Sequence, residues 1–62
     1  MDFSEKLKAE RERLGLTQAE AAAALDVSFE AVSKWERSLS TPSVITQEGA
    51  IARLRALKPR EK

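Results

Sequence analysis

The side chains that could do chemistry in this 62-residue chain are charged groups rather than the usual catalytic ones. The chain has no histidine and no cysteine, against eleven lysines and arginines and ten aspartates and glutamates. Histidine is the commonest general base and, like cysteine, a usual zinc ligand and a usual part of a nucleophilic site. Paired carboxylates remain, but so short a chain can hardly enclose them in a dry pocket. The composition therefore predicts no enzyme activity, no metal and no cofactor.

Two charged residues stand on otherwise apolar helical faces. At 100° per residue, Glu36 lies about 40° from Val32, and Arg11 lies about 40° from Leu7. A half-buried carboxylate is costly when unpaired, whereas a bidentate arginine–carboxylate pair offsets much of that cost. We therefore predict that Arg11 and Glu36 pair and clamp two helices together. The alternative is that both side chains extend separately to water.

The single tryptophan, Trp35, precedes this glutamate. It points the same way as Val32 and away from the polar side of its helix. Core packing is therefore the prediction for Trp35, and stacking on a nucleic-acid base is the alternative.

Helical periodicity is strong along the chain, and strand patterns are weak. Gly15 can end a helix in the left-handed conformation, Thr17 with Glu20 has capping-box spacing, and Ser28 can cap a further helix. The second and third helices are joined by a short turn from which Val27 points inward, the geometry of a helix-turn-helix. The predicted fold is all-α, a single domain over residues 1–62, with four or five short helices in a compact bundle. The helices are predicted over about residues 3–14, 18–25, 28–37 and 46–57.

Residues 7–43, LKAERERLGLTQAEAAAALDVSFEAVSKWERSLSTPS, carry a set of marks whose order and spacing are specific. The marks are Arg11, Gly15-Leu16-Thr17-Gln18, Ala22, Val27-Ser28, Val32, Trp35-Glu36 and Pro42-Ser43. The segment resembles the Xre/Cro-type helix-turn-helix DNA-binding domain of lambdoid phage repressors and many bacterial regulators. The resemblance implies a lambda repressor-like fold and agrees with the Arg11–Glu36 pair.

The resemblance also implies that the third helix lies in the major groove of DNA with its N-terminal residues on base edges. Lys34 can donate to guanine O6 and N7, Glu30 can accept from cytosine N4, and Phe29 can contact a thymine methyl. Phe29 could instead edge the core, because it lies about 60° from Val32. Carried over by position, the base contacts are Ser28, Phe29, Glu30, Ser33 and Lys34, and the phosphate contacts are Gln18 and Arg37.

The sequence departs from the family pattern at three places. Asp26 stands where the family usually has glycine in the turn, and Arg37-Ser38 replaces the common Asn-Gly. The recognition face carries an acid, Glu30, and one cation, Lys34, which predicts modest affinity for a single half-site.

These features predict a cytoplasmic, sequence-specific transcription regulator of double-stranded DNA, most simply a repressor that binds an inverted repeat as a homodimer. The alternatives are a protein-binding module that has lost DNA affinity, which the net charge of only +1 favours, and an antitoxin-like control protein with a partner protein. No stretch approaches the roughly 20 apolar residues of a membrane span. The candidate dimer surface is the apolar arc of Ala50, Ile51, Leu54 and Leu57, and the alternative, favoured for at least half of these residues, is packing within the bundle. A basic tail either adds sequence-independent DNA contacts or forms a solvated end; it comprises Arg53, Arg55, Lys58, Arg60 and Lys62.

Overall fold

The protein is described by a computed structural model that covers residues 2–59. Over that range the chain forms four helices and no strand, which confirms the all-α prediction. The helices are α1 (Phe3–Leu14), α2 (Gln18–Leu25), α3 (Phe29–Glu36) and α4 (Val44–Ala56). Their order places α2 and α3 at the centre of the chain as the helix-turn-helix.

Side-chain caps decide where the helices begin. Thr17 and Glu20 form a complete capping box, in which each side chain accepts a backbone N–H of the other residue at 2.9 and 3.1 Å. Ser28 Oγ accepts the N–H of Ala31 at 3.0 Å and starts α3. These contacts satisfy amides that the first turn of a helix otherwise leaves without partners.

The predicted start of α4 at residue 46 is wrong by two residues. Ser43 Oγ accepts the N–H of Thr46 at 3.3 Å, so the helix begins at Val44 directly after this cap. The β-branched run here lowers helix propensity, and the cap overrides it.

Three residues adopt the left-handed conformation that closes a helix. Gly15 ends α1 with φ 72°, as the sequence predicts, and Asp26 ends α2 with φ 59°. Ser38 also has φ 59°, two residues after α3 ends. For residues with a side chain this conformation costs about 1–2 kcal/mol relative to the right-handed one. Asp26 and Ser38 therefore carry a cost in stability that glycine at the same places would avoid.

The core lies between all four helices, and α2 contributes the small buried side chain of Ala22. The four largest fully buried side chains are Leu7, Leu14, Val32 and Leu54. Trp35 is buried beside them and packs edge-on against Phe3, with ring centroids 5.8 Å apart and planes at 67°. Trp35 is thus a core residue, as predicted, and its ring is not exposed for stacking on a base.

Half of the candidate dimer surface on α4 packs within the bundle, which is the alternative expected for at least half of these residues. Ala50 and Leu54 are buried in the core, because the apolar face of α4 packs against α1. Ile51 is half-buried against the same cluster, and only Leu57 is exposed. Apart from Phe29 on α3, the other large apolar side chains exposed among residues 2–59 are Leu39, Val44 and Ile45.

Two basic residues of the predicted tail contact the rest of the bundle, and Lys58 is exposed. Arg53 donates to the Ala24 carbonyl at 3.4 Å, and Arg55 lies 3.5 Å from Glu10. Arg60 and Lys62 of the predicted tail lie outside the described residues. No helix within residues 2–59 is both long and apolar enough to cross a bilayer.

Candidate nucleic-acid interface

The turn between α2 and α3 fixes the angle at which α3 is presented. The N–H of Asp26 donates to Ala23 and that of Val27 to Ala22, at 3.2 and 3.0 Å, which satisfies the last carbonyls of α2. Val27 is half-buried against the core cluster. Backbone hydrogen bonds and the packing of Val27 therefore hold this short connection and set the orientation of α3 relative to α2.

Arg11 of α1 and Glu36 of α3 form the predicted ion pair. Arg11 Nε donates to Glu36 Oε2 at 2.7 Å, and Nη2 donates to Oε1 at 3.0 Å. The side chains are only 15% and 4% exposed. The remaining guanidinium nitrogen, Nη1, donates to the Leu16 carbonyl at 3.0 Å, so the arginine also anchors the α1–α2 connection. We call these contacts the clamp.

Gln18 completes the clamp, a contact that the sequence does not reveal. Its Nε2 donates to Glu36 Oε1 at 3.1 Å. Glu36 thus accepts three hydrogen bonds while almost wholly removed from water. The sequence gives one indication of this third bond. A carboxylate can accept more hydrogen bonds than a single bidentate arginine donates to it, so a further donor is expected near Glu36.

The clamp shifts the ionisation of both partners. Burial raises the pKa of Glu36, but hydrogen bonds from Arg11 and Gln18 outweigh it and leave that pKa below its usual value of 4.5. The hydrogen bond to Glu36 raises the pKa of Arg11 above its ordinary value. Both side chains therefore stay charged at neutral pH, and the clamp persists.

The opposite side of α3 is open to solvent. Phe29 is 55% exposed at the first helical position, which favours the base-contact interpretation over the core-edge alternative. Glu30 and Lys34 are exposed as well, and Ser33 is half-buried between the two faces. Ser28 uses its hydroxyl oxygen as the cap acceptor of α3.

The two charged residues on this outward face lie one helical turn apart and form an ion pair. Lys34 Nζ is 3.7 Å from Glu30 Oε1, and the side chains are 47% and 78% exposed. The cation predicted to read guanine is thus accompanied by the carboxylate predicted to read cytosine. We call these two residues the reading pair.

The two predicted phosphate contacts, Arg37 and Gln18, differ in their exposure to solvent. Arg37 follows α3 and is exposed, and its Nε donates to the Ser33 carbonyl at 3.4 Å. Gln18 is half-buried and turned toward the clamp. The structure thus leaves Phe29, Glu30 and Lys34 of the predicted base contacts exposed along α3, and it places Gln18 with Arg11 and Glu36.

Comparison with known proteins agrees with this arrangement. The family model for helix-turn-helix matches residues 7–46, from α1 to the first turn of α4. The match covers more than half of the chain. No curated protein and no solved structure matches the chain. The chain belongs to the Xre/Cro-type helix-turn-helix family of DNA-binding regulators.

Proposed function

We propose that this protein is a cytoplasmic, sequence-specific repressor, acting as a single domain that binds an inverted-repeat operator in double-stranded DNA as a homodimer. The observation that carries the proposal is that one side of α3 is packed into the bundle while the opposite side is exposed to solvent. One side is locked into the bundle by the clamp and by Val32 and Trp35. The other presents hydrogen-bonding and apolar groups to solvent with nothing else in the bundle covering them.

The outward side of α3 suits the major groove, which admits one helix. We assign base contacts to Ser28, Phe29, Glu30, Ser33 and Lys34. Phe29 offers apolar contact to a thymine methyl, and Lys34 supplies hydrogen-bond donors for guanine. Ser28 lies at the helix N-terminus, where backbone amides and the helix dipole also favour a nearby phosphate oxygen.

Phosphate contacts would fix the register of α3 in the groove without reading sequence. We assign them to Gln18 and Arg37. Gln18 stands at the N-terminus of α2, and its amide carries a second N–H besides the one that the clamp uses. Arg37 carries its charge at the exposed end of α3, and the weak bond to its own helix leaves donors for a phosphate.

Two copies are needed for useful affinity, because so few cationic contacts bind DNA weakly at physiological salt. Half-sites one helical turn apart would place the two α3 helices about 34 Å from each other. Of the arc predicted on α4, Leu57 stays available for contact between the copies. Repression then requires only that the bound dimer occlude a promoter.

A partner protein is the second candidate, and a specific observation favours it. The exposed face of α3 is electrically balanced, because Glu30 lies beside Lys34. The overall net charge of +1 is low for a nucleic-acid binder. An antitoxin-like control protein would combine this partner with DNA binding.

Selection from a pool of randomised duplexes at about 0.15 M salt tests the proposal under physiological screening. We expect enrichment of an inverted repeat with half-sites about 10 base pairs apart. Retention without enrichment would show sequence-independent binding and contradict the proposal. Absence of retention would favour the partner-protein function, because binding to DNA through phosphates must be measurable and must weaken as salt rises.

A further inference from the structure

The reading pair on α3 has a chemistry that neither residue has alone. We infer that Glu30 and Lys34 read one G·C base pair as a unit, with Glu30 as the residue that determines specificity. The inference rests on the proposed binding of double-stranded DNA and names the base pair and the residue responsible.

The geometry of the pair supports joint action. The two side chains leave the same face of α3 one turn apart, with Nζ and Oε1 separated by 3.7 Å. Both are well exposed, so neither has to leave a packed position to reach a base. A donor group and an acceptor group are thus presented side by side.

The major-groove edge of a G·C pair is complementary to this arrangement. Guanine presents two adjacent acceptors, N7 and O6, and cytosine presents the N4 donor beside them. An ammonium group can donate to both acceptors, and a carboxylate can accept from N4. An A·T pair instead has its donor between two acceptors, followed by a methyl group, so in neither orientation does it offer the ammonium two adjacent acceptors beside a donor for the carboxylate. The order of Glu30 and Lys34 along α3 also distinguishes G·C from C·G.

Glu30 has a second effect, on binding to unrelated sequences. A free lysine on a recognition helix contacts phosphates anywhere along DNA, and each such contact adds about 0.9 to the salt dependence of binding. Glu30 offsets this attraction, because its carboxylate lies beside the ammonium of Lys34. On the correct base pair the carboxylate is itself satisfied, so the same residue lowers non-specific affinity and supports specific affinity.

The test compares the wild-type chain with Glu30→Gln and with the control Glu48→Gln. Both substitutions remove one negative charge, but Glu48 is an exposed residue of α4 outside the helix-turn-helix. Each protein is used in selection from the randomised duplex pool, and its affinity for the selected site and for a scrambled duplex is then titrated across salt. Thermal melting establishes that all three proteins are folded.

We expect the wild type to select a G·C pair at one position in each half-site. Glu30→Gln should reduce the discrimination at that position about tenfold, because the amide loses the charge that strengthens the bond to cytosine N4 and can pair equally with adenine N6 and N7. It should also bind the scrambled duplex more tightly and increase the magnitude of its salt slope by about 0.9. Glu48→Gln should leave the selected base pair unchanged.

Three results would overturn the inference. A selected site that stays the same in Glu30→Gln would leave the proposed function intact but remove Glu30 from base reading. An equal loss of discrimination in Glu48→Gln would assign the effect to net charge. Failure of the wild type to enrich any sequence would remove the proposed function as well, so the two failures are distinguishable.

Discussion

Each of the two ion pairs of α3 joins a glutamate to a basic side chain, but the pairs differ in burial, in distance and in the elements that they connect. The clamp joins Arg11 of α1 to Glu36 through two short hydrogen bonds in a setting nearly closed to water. The reading pair joins Glu30 and Lys34 at 3.7 Å within one helix and in open solvent. One pair crosses between helices, and the other adds nothing to the packing of the bundle.

This difference shows that burial, rather than charge, decides what an ion pair does. Removing one partner of a buried pair leaves the other charged and desolvated. Neither side chain of the clamp can therefore leave its partner to bind DNA without a large loss of stability. An exposed pair one helical turn apart contributes only about 0.2–0.5 kcal/mol, so a base edge can compete with it. The clamp therefore holds α3 in place while the reading pair stays free to act.

Arg11→Ala tests the clamp most severely. It removes all donors of Arg11 and leaves Glu36 buried with one remaining side-chain hydrogen bond, from Gln18. We expect a loss of about 3 kcal/mol in the free energy of unfolding and a fall in Tm of more than about 10 °C. Thermal melting by circular dichroism measures both.

Two further substitutions on α1 show whether the effect of Arg11→Ala comes from the lost charge or from the lost hydrogen-bond geometry. Lys8→Ala removes an exposed cation from the same helix and should change Tm little. Arg11→Lys keeps the charge but loses the planar fork, so its Tm should lie between the wild type and Arg11→Ala. A melting temperature of Arg11→Ala equal to that of the wild type would refute the clamp and leave the two pairs alike.

The second test measures stability as a function of acid pH. Comparison of the wild type with Glu36→Gln isolates the contribution of Glu36. The folded pKa of Glu36 is below 4.5, so its stabilising contribution is complete above about pH 4.5 and is lost as the pH falls through the folded value. Glu36→Gln should lower stability by about 2 kcal/mol at neutral pH and should remove this part of the acid dependence. The pKa of Asp2 is also lowered, mainly by the hydrogen bond from the Glu5 N–H, and this contribution is common to both proteins. Parallel stability curves for the two proteins below pH 4.5 would contradict the assignment.

Lys34→Ala makes the converse test on the reading pair. We expect it to weaken binding to the selected site by about 2 kcal/mol and to relax preference at one base pair, because the guanine loses its donor. Tm should stay within a few degrees of the wild type, because Lys34 is exposed. Binding titrations on the selected and scrambled duplexes measure the difference. Equal weakening on both would make Lys34 a phosphate contact.

Much of this arrangement follows from the sequence, because caps and helical periodicity are local properties. Thr17 with Glu20, and Ser28, mark where α2 and α3 begin, and the structure has both starts. The helical wheel places Arg11 and Glu36 on inward faces, and a buried charge needs a partner, so their pairing could be predicted as well.

The parts that could not be predicted depend on distances between helices. A wheel shows that Ala50 and Leu54 share an apolar face but not which surface covers it, and α1 does so rather than a second copy. Nor does it show that Gln18 reaches Glu36, because that contact depends on how closely α2 approaches α3. The left-handed conformation of Ser38 could not be predicted for a different reason. Serine is not one of the residue types that are enriched at positive φ.

Ser38→Gly tests the backbone at the end of α3, which carries both pairs. Glycine adopts φ near 59° without the penalty that a side chain brings. We expect the variant to be more stable by about 0.5–1 kcal/mol, even though it loses the exposed hydrogen bond from Ser38 to Ser4. Ser40→Gly in the same loop is the matched control, because Ser40 does not have a positive φ, and it should be neutral or destabilising. Equal changes in the free energy of unfolding for Ser38→Gly and Ser40→Gly would show that the positive φ of Ser38 does not lower stability.

The smallest expected effect is the coupling between Glu30 and Lys34 in the absence of DNA, and it is the sharpest test of the comparison. A double-mutant cycle with Glu30→Ala and Lys34→Ala should give about 0.4 kcal/mol at low salt and almost nothing at 1 M, where the Debye length is about 3 Å. The corresponding cycle for Arg11 and Glu36 should give a coupling several times larger that salt reduces far less, because the pair is screened from solvent. If the Glu30–Lys34 coupling instead exceeded about 1 kcal/mol and resisted salt, the reading pair would be structural. A base edge would then have to break a contact that the fold depends on, and Glu30 could not exchange partners on DNA.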